Sequence, residues 1–176
     1  MTDQDRKKWD TRYKNDLGDF APSSILTQYW QLASCGSALD IACGNGRNSF
    51  FLAEKGFTVE AVDISTVATG HLNDKHPGIH VICQDLDTWK ISPNRYDLIV
   101  NVHFLDRRLF PMIERALKPD GVLIFESFIS QNAHPFGLRN NELLHAFQTL
   151  RIIYYEEKPN DHEEFNQMAS LVAVKQ

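Results

Sequence analysis

The chain has 176 residues, 43% of them hydrophobic and 23% charged, which is the composition of one globular domain with a sizeable core. A formal net charge of −5 disfavours a non-specific grip on nucleic acid, and no run approaches about 18 uninterrupted apolar residues, so no membrane span is expected. Cys35, Cys43 and Cys83 form no C-x-x-C pair and have no histidine at metal spacing, and the charged start "MTDQDRKKWD" lacks the apolar core of a signal peptide; reduced thiols, no metal and a cytoplasmic location are expected.

Strand and helix patterns then alternate. "DRKKWDTRYKN" reads as a helix with Trp9 and Tyr13 on one face, and "PSSILTQYWQLA" as a second that starts at proline. "SALDIAC" is a buried strand running into a glycine turn, followed by the helix "GRNSFFLAEKG", which Gly56 closes. "FTVEAVD" is the next strand, and Ser65 N-caps "TVATGHLNDKH". "IHVICQD" and "YDLIVNV" are strands three and four. "RRLFPMIERALK" carries a helical apolar stripe that tolerates Pro111 only if it begins near Arg107 or Arg108. "GVLIFES" is strand five and "NNELLHAF" a short helix. "LRIIYYEE" and "QMASLVAVK" follow with no helix pattern between them, so they should pair as an antiparallel hairpin.

Five strands separated by helices give an α/β, Rossmann-like doubly wound parallel sheet with helices on both faces. Its ligand crevice lies at the carboxyl ends of the strands. Those ends hold Asp40 to Gly46, Asp63, Gln84 with Asp85, Asn101 to His103, and Glu126 to Phe128. The turn "LDIACGNGRN" has Gly44 and Gly46, which let a ligand approach the backbone, but Ser49 stands where a dinucleotide fingerprint has its third glycine. Asp63, 19 residues after Gly44, is placed to accept ribose hydroxyls, and Asp85 to accept an adenine amine. Asp40 beneath the turn is a poor neighbour for pyrophosphate and a good one for a cationic ligand. Each feature also has a bland reading: a packing glycine turn, a solvated turn start, an Asp-rich loop entry.

"LDIACGNGRN" followed by "VEAVDIS", "CQDLD", "YDLIVNVHFLDRRLF" and "ALKPDGVLIFESF" resembles the class I S-adenosylmethionine (SAM)-dependent methyltransferases, and within them the small tellurite-resistance and thiol methyltransferase-like branch. The resemblance runs from "WDTRY" to "ASLVAVK". It implies one methyltransferase domain over residues 1–176, a sheet of order 3-2-1-4-5-7-6 with strand seven antiparallel, and SAM as cofactor with S-adenosylhomocysteine as product. Gly44 and Gly46 then face the amino-acid part of SAM with Asp40 and Ala42 nearby, Asp63 and Ile64 the ribose, and Gln84, Asp85 and Leu86 the adenine. Asn101 and Val102 border the methionine end. Residues 1–34 contribute to a lid through the "W-x-x-x-Y" pair Trp9 and Tyr13. Two departures stand out: Ala42 replaces a frequent glycine, and Asp120 replaces a glycine of the usual Leu-x-Pro-Gly-Gly turn.

A thiolate or chalcogen anion needs little beyond in-line positioning, whereas an oxygen or nitrogen acceptor more often needs a base. His103 is the candidate base, the alternative being a histidine that bonds a loop carbonyl. Arg107, His134 and Arg139 are candidate acceptor contacts, the last two on the polar loop "ISQNAHPFGLRN". The Asp/Asn-Pro-Pro-Tyr motif of amino-methylating nucleic-acid enzymes is absent and "NVHF" stands there, so a small-molecule acceptor is expected. Two further readings stay open from the residues: a nicotinamide-dependent oxidoreductase, which G-x-G plus Asp63 alone permits, and a protein that binds SAM without turnover. Nothing in the sequence bears on the number of subunits.

Overall fold

The computed structural model describes residues 3–130, 136–160 and 165–176. Its elements run α1 (Asp3–Asn15), α2 (Ser24–Tyr29), β1 (Ser37–Ile41), α3 (Arg47–Glu54), β2 (Thr58–Asp63), α4 (Thr66–Leu72), β3 (Ile79–Cys83), β4 (Tyr96–Val102), α5 (Phe110–Ala116), β5 (Leu117–Ile129), α6 (Glu142–Ala146), β6 (Arg151–Pro159) and β7 (Gln167–Val174). The strands form one sheet of order β3-β2-β1-β4-β5-β7-β6. The first five pair in parallel, and β7 runs antiparallel to both β5 and β6. Residues 160–166 are too few for the crossover that a parallel partner needs, so β6 and β7 close as the expected hairpin.

Successive side chains of each strand point to opposite faces, and both faces are covered. Leu39, Ile41, Ile99 and Phe125 pack on the α5 and α6 side with Ile113, Leu143 and Phe147. Ala38, Val59, Leu98 and Val100 pack on the α2, α3 and α4 side with Leu26, Leu52 and Leu72. Phe125 is fully buried, with its ring 5.8 Å from Phe110 and 5.9 Å from Phe147. Removing that ring would cost about 3–5 kcal/mol and loosen β5.

Several boundaries differ from the sequence pattern, each for a local reason. β1 stops at Ile41 because Ala42 turns the chain with φ +54°. β3 stops at Cys83 because Asp85 opens a turn whose Asp87 N–H donates to its carboxylate at 2.9 Å. α4 ends at Leu72, before the expected "NDKH", since Asn73 is extended and Asp74 left-handed at φ +58°. The second predicted helix is α2 followed by a single 3-10 turn, Trp30–Leu32. Another 3-10 turn, Arg107–Leu109, precedes α5 and keeps Pro111 in the first turn, where proline's missing N–H costs nothing. β5 begins four residues early, at Leu117, and Asp120 (φ +63°) still donates its N–H to the Lys175 carbonyl at 2.8 Å.

Candidate functional site

A cleft of about 810 Å³ opens at the carboxyl ends of the strands, within the range of small-molecule sites. Its floor is the β1 turn, Asp63, Ile64 and the end of β4; its opposite wall is α1 with residues 16–24.

The turn is organised around two buried carboxylates. Asp63, 6% exposed, accepts the Gly44 N–H at 2.9 Å and the Ser65 N–H at 2.8 Å, so the end of β2 fixes the shape of the turn after β1. Gly44 has φ +56°, a conformation that costs a side chain. Asp40, 2% exposed, accepts the Ser49 hydroxyl at 2.6 Å. The residue standing for the third glycine therefore satisfies the carboxylate under the turn. Burial pushes the Asp40 carboxyl up to about 7, against the Ser49 hydrogen bond and with the nearby Asp63 charge adding to it. Burial also raises Asp63, partly offset by the Ser65 and Gly44 N–H groups, and raises the Cys43 thiol well above its ordinary value. Such a buried thiol is inert.

α1 covers this turn. A Cβ on Gly44 would fall 2.5 Å from the Tyr13 hydroxyl, so Tyr13 lies directly against the bare glycine. Burial and the Asp63 charge push its phenol up. Trp9 stacks on Tyr13 with ring centroids 6.0 Å apart, and the Arg12 guanidinium lies 5.3 Å over the Trp9 ring. Two fasteners carry no signal in the sequence. Asp10 accepts the Ser65 hydroxyl at 2.6 Å, the Thr66 hydroxyl at 3.0 Å and the Val67 N–H at 3.2 Å, pinning α1 to the start of α4. Asn45 donates to the carbonyls of Leu17 and Asp19, both at 2.8 Å, tying residues 16–24 to the glycine turn. An Asp on a solvated helix face and an Asn inside G-x-G carry no pattern that announces either partner.

The other end of the cleft is formed by Val102 at the end of β4, His103 and Phe104 after it, and Glu126, Phe128, Lys158 and Met168 from β5, β6 and β7. His103 takes φ +61°, and its backbone N–H donates to the Glu126 carbonyl at 2.8 Å. Its Nε2 lies 3.7 Å from Glu126 Oε1, and its ring stacks on Phe128 at 4.8 Å.

Residues 38–121, from β1 into β5, match the family described as "Methyltransferase domain". YqeM of Bacillus subtilis (strain 168), whose name assigns it provisionally to the methyltransferases, is 30% identical over 127 residues, covering 64% of this chain and 51% of that protein. The ubiquinone biosynthesis O-methyltransferase of Coxiella burnetii is 32% identical over 103 residues, covering 53% of this chain and 44% of its own. The chain thus spans about half the length of the curated relatives it matches. Among solved structures, TehB from Haemophilus influenzae superposes with a TM-score of 0.78 at 21% identity over 96% of this chain and 67% of its own. The 1,6-didemethyltoxoflavin-N1-methyltransferase of Burkholderia thailandensis, solved with S-adenosylhomocysteine, gives 0.72 at 16% identity over 97% and 87%. The fold is that of the class I methyltransferases.

Of the expected residues, the cleft brings together Trp9, Tyr13, Asp40, Ala42, Gly44, Asp63, Ile64, Val102 and His103. The others are placed elsewhere. Gly46 has φ +80° and faces α4: a Cβ there would meet Leu72 Cδ1 at 2.2 Å, so it serves helix packing. Leu86 is core, 2% exposed, and Gln84 donates to the Thr88 hydroxyl at 3.1 Å. Asp85 spends a carboxylate oxygen on its own turn, beside the cleft and not in its lining. The Asn101 amide is buried below the cleft with no hydrogen-bond partner among the described residues, and neither it nor Asp85 touches the opening. Arg107 turns away, forming a bidentate pair with Glu142 and donating to the Gly137 carbonyl at 2.8 Å. Arg139 is exposed, its N–H on Glu142, and His134 lies outside the described residues.

Proposed function

We propose that the chain is a SAM-dependent methyltransferase acting on a small-molecule acceptor, and that a thiol is the acceptor class to test first. One observation carries the cofactor assignment. Two buried carboxylates, Asp40 and Asp63, flank a glycine turn inside a cleft of cofactor size. A pyrophosphate would be repelled there; a ligand with a ribose and a positive end suits it. The bare Gly44 backbone leaves room that a Cβ would fill, and the buried Ser23 hydroxyl on the same wall has no protein partner among the described residues. These residues fit SAM. When bound, it supplies an electrophilic methyl on a positive sulfonium and leaves as the neutral thioether S-adenosylhomocysteine.

The chain's own part follows from the placements. Asp63 holds ribose hydroxyls while bracing the turn, Asp40 balances positive charge, and Trp9 with Tyr13 closes residues 1–34 over the cofactor and excludes water. His103 stands at the acceptor end as the group that takes a proton. An imidazole can deprotonate a thiol, whose ordinary pKa is about 8.5, far more readily than an aliphatic alcohol. The apolar flanks Phe104, Phe128 and Met168 suit a soft nucleophile. A chalcogen anion, which brings no proton, belongs in the same screen. The unbridged Cys35, Cys43 and Cys83 support a reducing compartment, and no helix among the described residues is long and apolar enough to cross a membrane.

The test is a pair of thermal-shift titrations with S-adenosylhomocysteine and NAD. At 100 times its dissociation constant a ligand stabilises by about 2.7 kcal/mol, which in a chain of this size raises the melting temperature by roughly 5–11 °C. A shift with S-adenosylhomocysteine alone is expected; a shift with NAD alone would overturn the proposal.

A further inference from the structure

We propose that Glu126 and Ser170 are positioning residues that hold His103 as a proton acceptor, which commits the acceptor end to a nucleophile that arrives with its proton. This rests on the methyl-transfer reading above. Glu126 lies on β5 with its side chain only 9% exposed. One oxygen, Oε2, accepts the Ser170 hydroxyl at 2.8 Å; the other, Oε1, faces His103 Nε2 at 3.7 Å. Ser170 is 2% exposed and sits directly opposite Glu126 in the antiparallel β5–β7 register, so the two side chains share one face of the sheet.

A buried carboxylate is costly unless a positive partner compensates it, and a single serine hydroxyl compensates little. An imidazole that gains a proton supplies the missing charge. The ring plane is set independently: Phe128 stacks on the imidazole at 4.8 Å with a 25° interplanar angle, and Phe165 stacks on Phe128 at 5.4 Å and 14°. The backbone contributes too. His103 is held at φ +61°, a left-handed conformation that a non-glycine residue adopts at a cost, and its N–H is locked to the Glu126 carbonyl. Edge, face and backbone of one imidazole are thus fixed by three different contacts.

Other charges border this pair. Lys158 from β6 lines the same end of the cleft and lies 3.7 Å from Glu156, while Asp40 and Asp63 stand across the cleft. Tyr154 on β6 donates its hydroxyl to Glu156 at 2.7 Å, which with burial raises its phenol. Asp40, with its carboxyl near 7, titrates in the range of an imidazole, but it is held by the Ser49 hydroxyl beneath the glycine turn; Lys158 opposes a proton on the imidazole. Among the described residues, the carboxylate of Glu126 faces the imidazole and favours the proton. The proton taken from the acceptor therefore comes to rest on His103 and leaves to solvent from there.

The experiment is a pH titration of the histidine Cε1–H resonances by NMR in the full chain, with His103→Gln assigning the His103 signal. Glu126→Gln is expected to lower the His103 midpoint by about one unit, Ser170→Ala to lower it less, and Glu126→Asp to restore it in part. In parallel, S-adenosylhomocysteine affinity of the variants, read by calorimetry, stays within about threefold of the parent, while the kcat of thiol methylation falls roughly 10- to 100-fold in Glu126→Gln. A His103 midpoint unmoved by Glu126→Gln overturns the relay; if that variant does not fold, an unmoved midpoint in Ser170→Ala and Glu126→Asp does the same. A parent chain that binds no S-adenosylhomocysteine overturns the methyl-transfer reading instead, so the two failures are distinguishable. Activity whose acid limb does not follow the His103 midpoint overturns the assignment of a protonated acceptor.

Discussion

At the β1–β2 end of the cleft, Asp40, Gly44, Ser49 and Asp63 come from one strand-turn-helix-strand unit, and their polar atoms bond to one another: Ser49 to Asp40, Gly44 to Asp63. At the β4–β5 end, His103 follows β4 while Glu126 and Ser170 lie within β5 and β7, separated by 44 residues, and the contact between imidazole and carboxylate is a looser 3.7 Å. The first end is shaped before any ligand arrives, because its carboxylates are also its internal struts. The second has an exposed ring set over one buried charge. Substitutions at the first end should therefore change binding and folding together, whereas those at the second should change chemistry and spare both.

Asp63→Ala tests the first half of that contrast most severely. It removes the acceptor for two backbone N–H groups and for the proposed ribose hydroxyls together. Hydrogen bonds to a charged group contribute about 1.5–3 kcal/mol each, so S-adenosylhomocysteine affinity should fall about 100-fold or more and the apo chain should melt earlier. Calorimetry and a melting curve read the two effects. Equal affinity in the two proteins would remove Asp63 from the site, and lost affinity without lost stability would break the claim that strut and ligand contact are one group.

Asp40 gives a subtler reading of the same end. With its carboxyl near 7, the native chain holds a proton there that the unfolded chain has released. This group's contribution to stability therefore falls as pH rises from the ordinary aspartate range to 7, and is level above that. A cationic ligand beside Asp40 should expel the proton, releasing about half a proton per site at pH 7. Calorimetry of SAM binding in two buffers of different ionisation enthalpy measures the release, and Asp40→Asn should abolish it. A binding enthalpy independent of buffer would place the positive end of the ligand elsewhere.

The same contrast explains which parts were legible in the sequence. The alternation of strands and helices, Gly44, Asp40 and Asp63 lie in a contiguous pattern in which strand period, glycine turn and spacing each carry a signal, while the order of the sheet is what the family resemblance implies. Ser49 reads as a missing glycine until Asp40 is found beneath it. Gly46 and Leu86 show the opposite limit: a motif position can be occupied for packing, and spacing alone does not separate a cleft glycine from one pressed on Leu72. Arg107 looked like an acceptor contact because it follows β4, yet a carboxylate 35 residues away captures it. Glu126 and Ser170 carry no local motif at all. Their meeting is a consequence of the β5–β7 register, which only the completed hairpin sets.

α1 lines the first end of the cleft but is fastened like the second, by a side chain far away in sequence. Burial raises the Asp10 carboxyl, yet the hydrogen bonds from Ser65, Val67 and Thr66 outweigh it and hold it below the ordinary range. The pinning of α1 is therefore present above the ordinary aspartate range and lost as pH falls through the lowered value. Asp10→Ala should raise amide hydrogen exchange throughout α1 at neutral pH and weaken S-adenosylhomocysteine binding a few-fold, on the order of 1 kcal/mol. Exchange in α1 unchanged by the substitution would mean that Trp9 and Tyr13 hold the helix without it.

The smallest expected effect separates strain that serves the site from strain that does not. Ala42 and His103 both sit in the left-handed region, at φ +54° and +61°, one at each end of the cleft. For a residue with a Cβ that conformation costs roughly 1–2 kcal/mol, and replacing it by glycine returns about 0.4–1 kcal/mol to the unfolded chain. Ala42→Gly should therefore stabilise by about 0.5 kcal/mol, which raises the melting temperature by roughly 1–2 °C. Its methyl also packs against the α5–α6 side of the core, so a fall in melting temperature would show that this contact outweighs the strain. A rise would mark Ala42 as a tolerated departure from glycine. The strain at His103 would then be the one of the two that the molecule keeps for its chemistry, since there the same backbone conformation comes with a locked N–H, a stacked ring and a buried carboxylate.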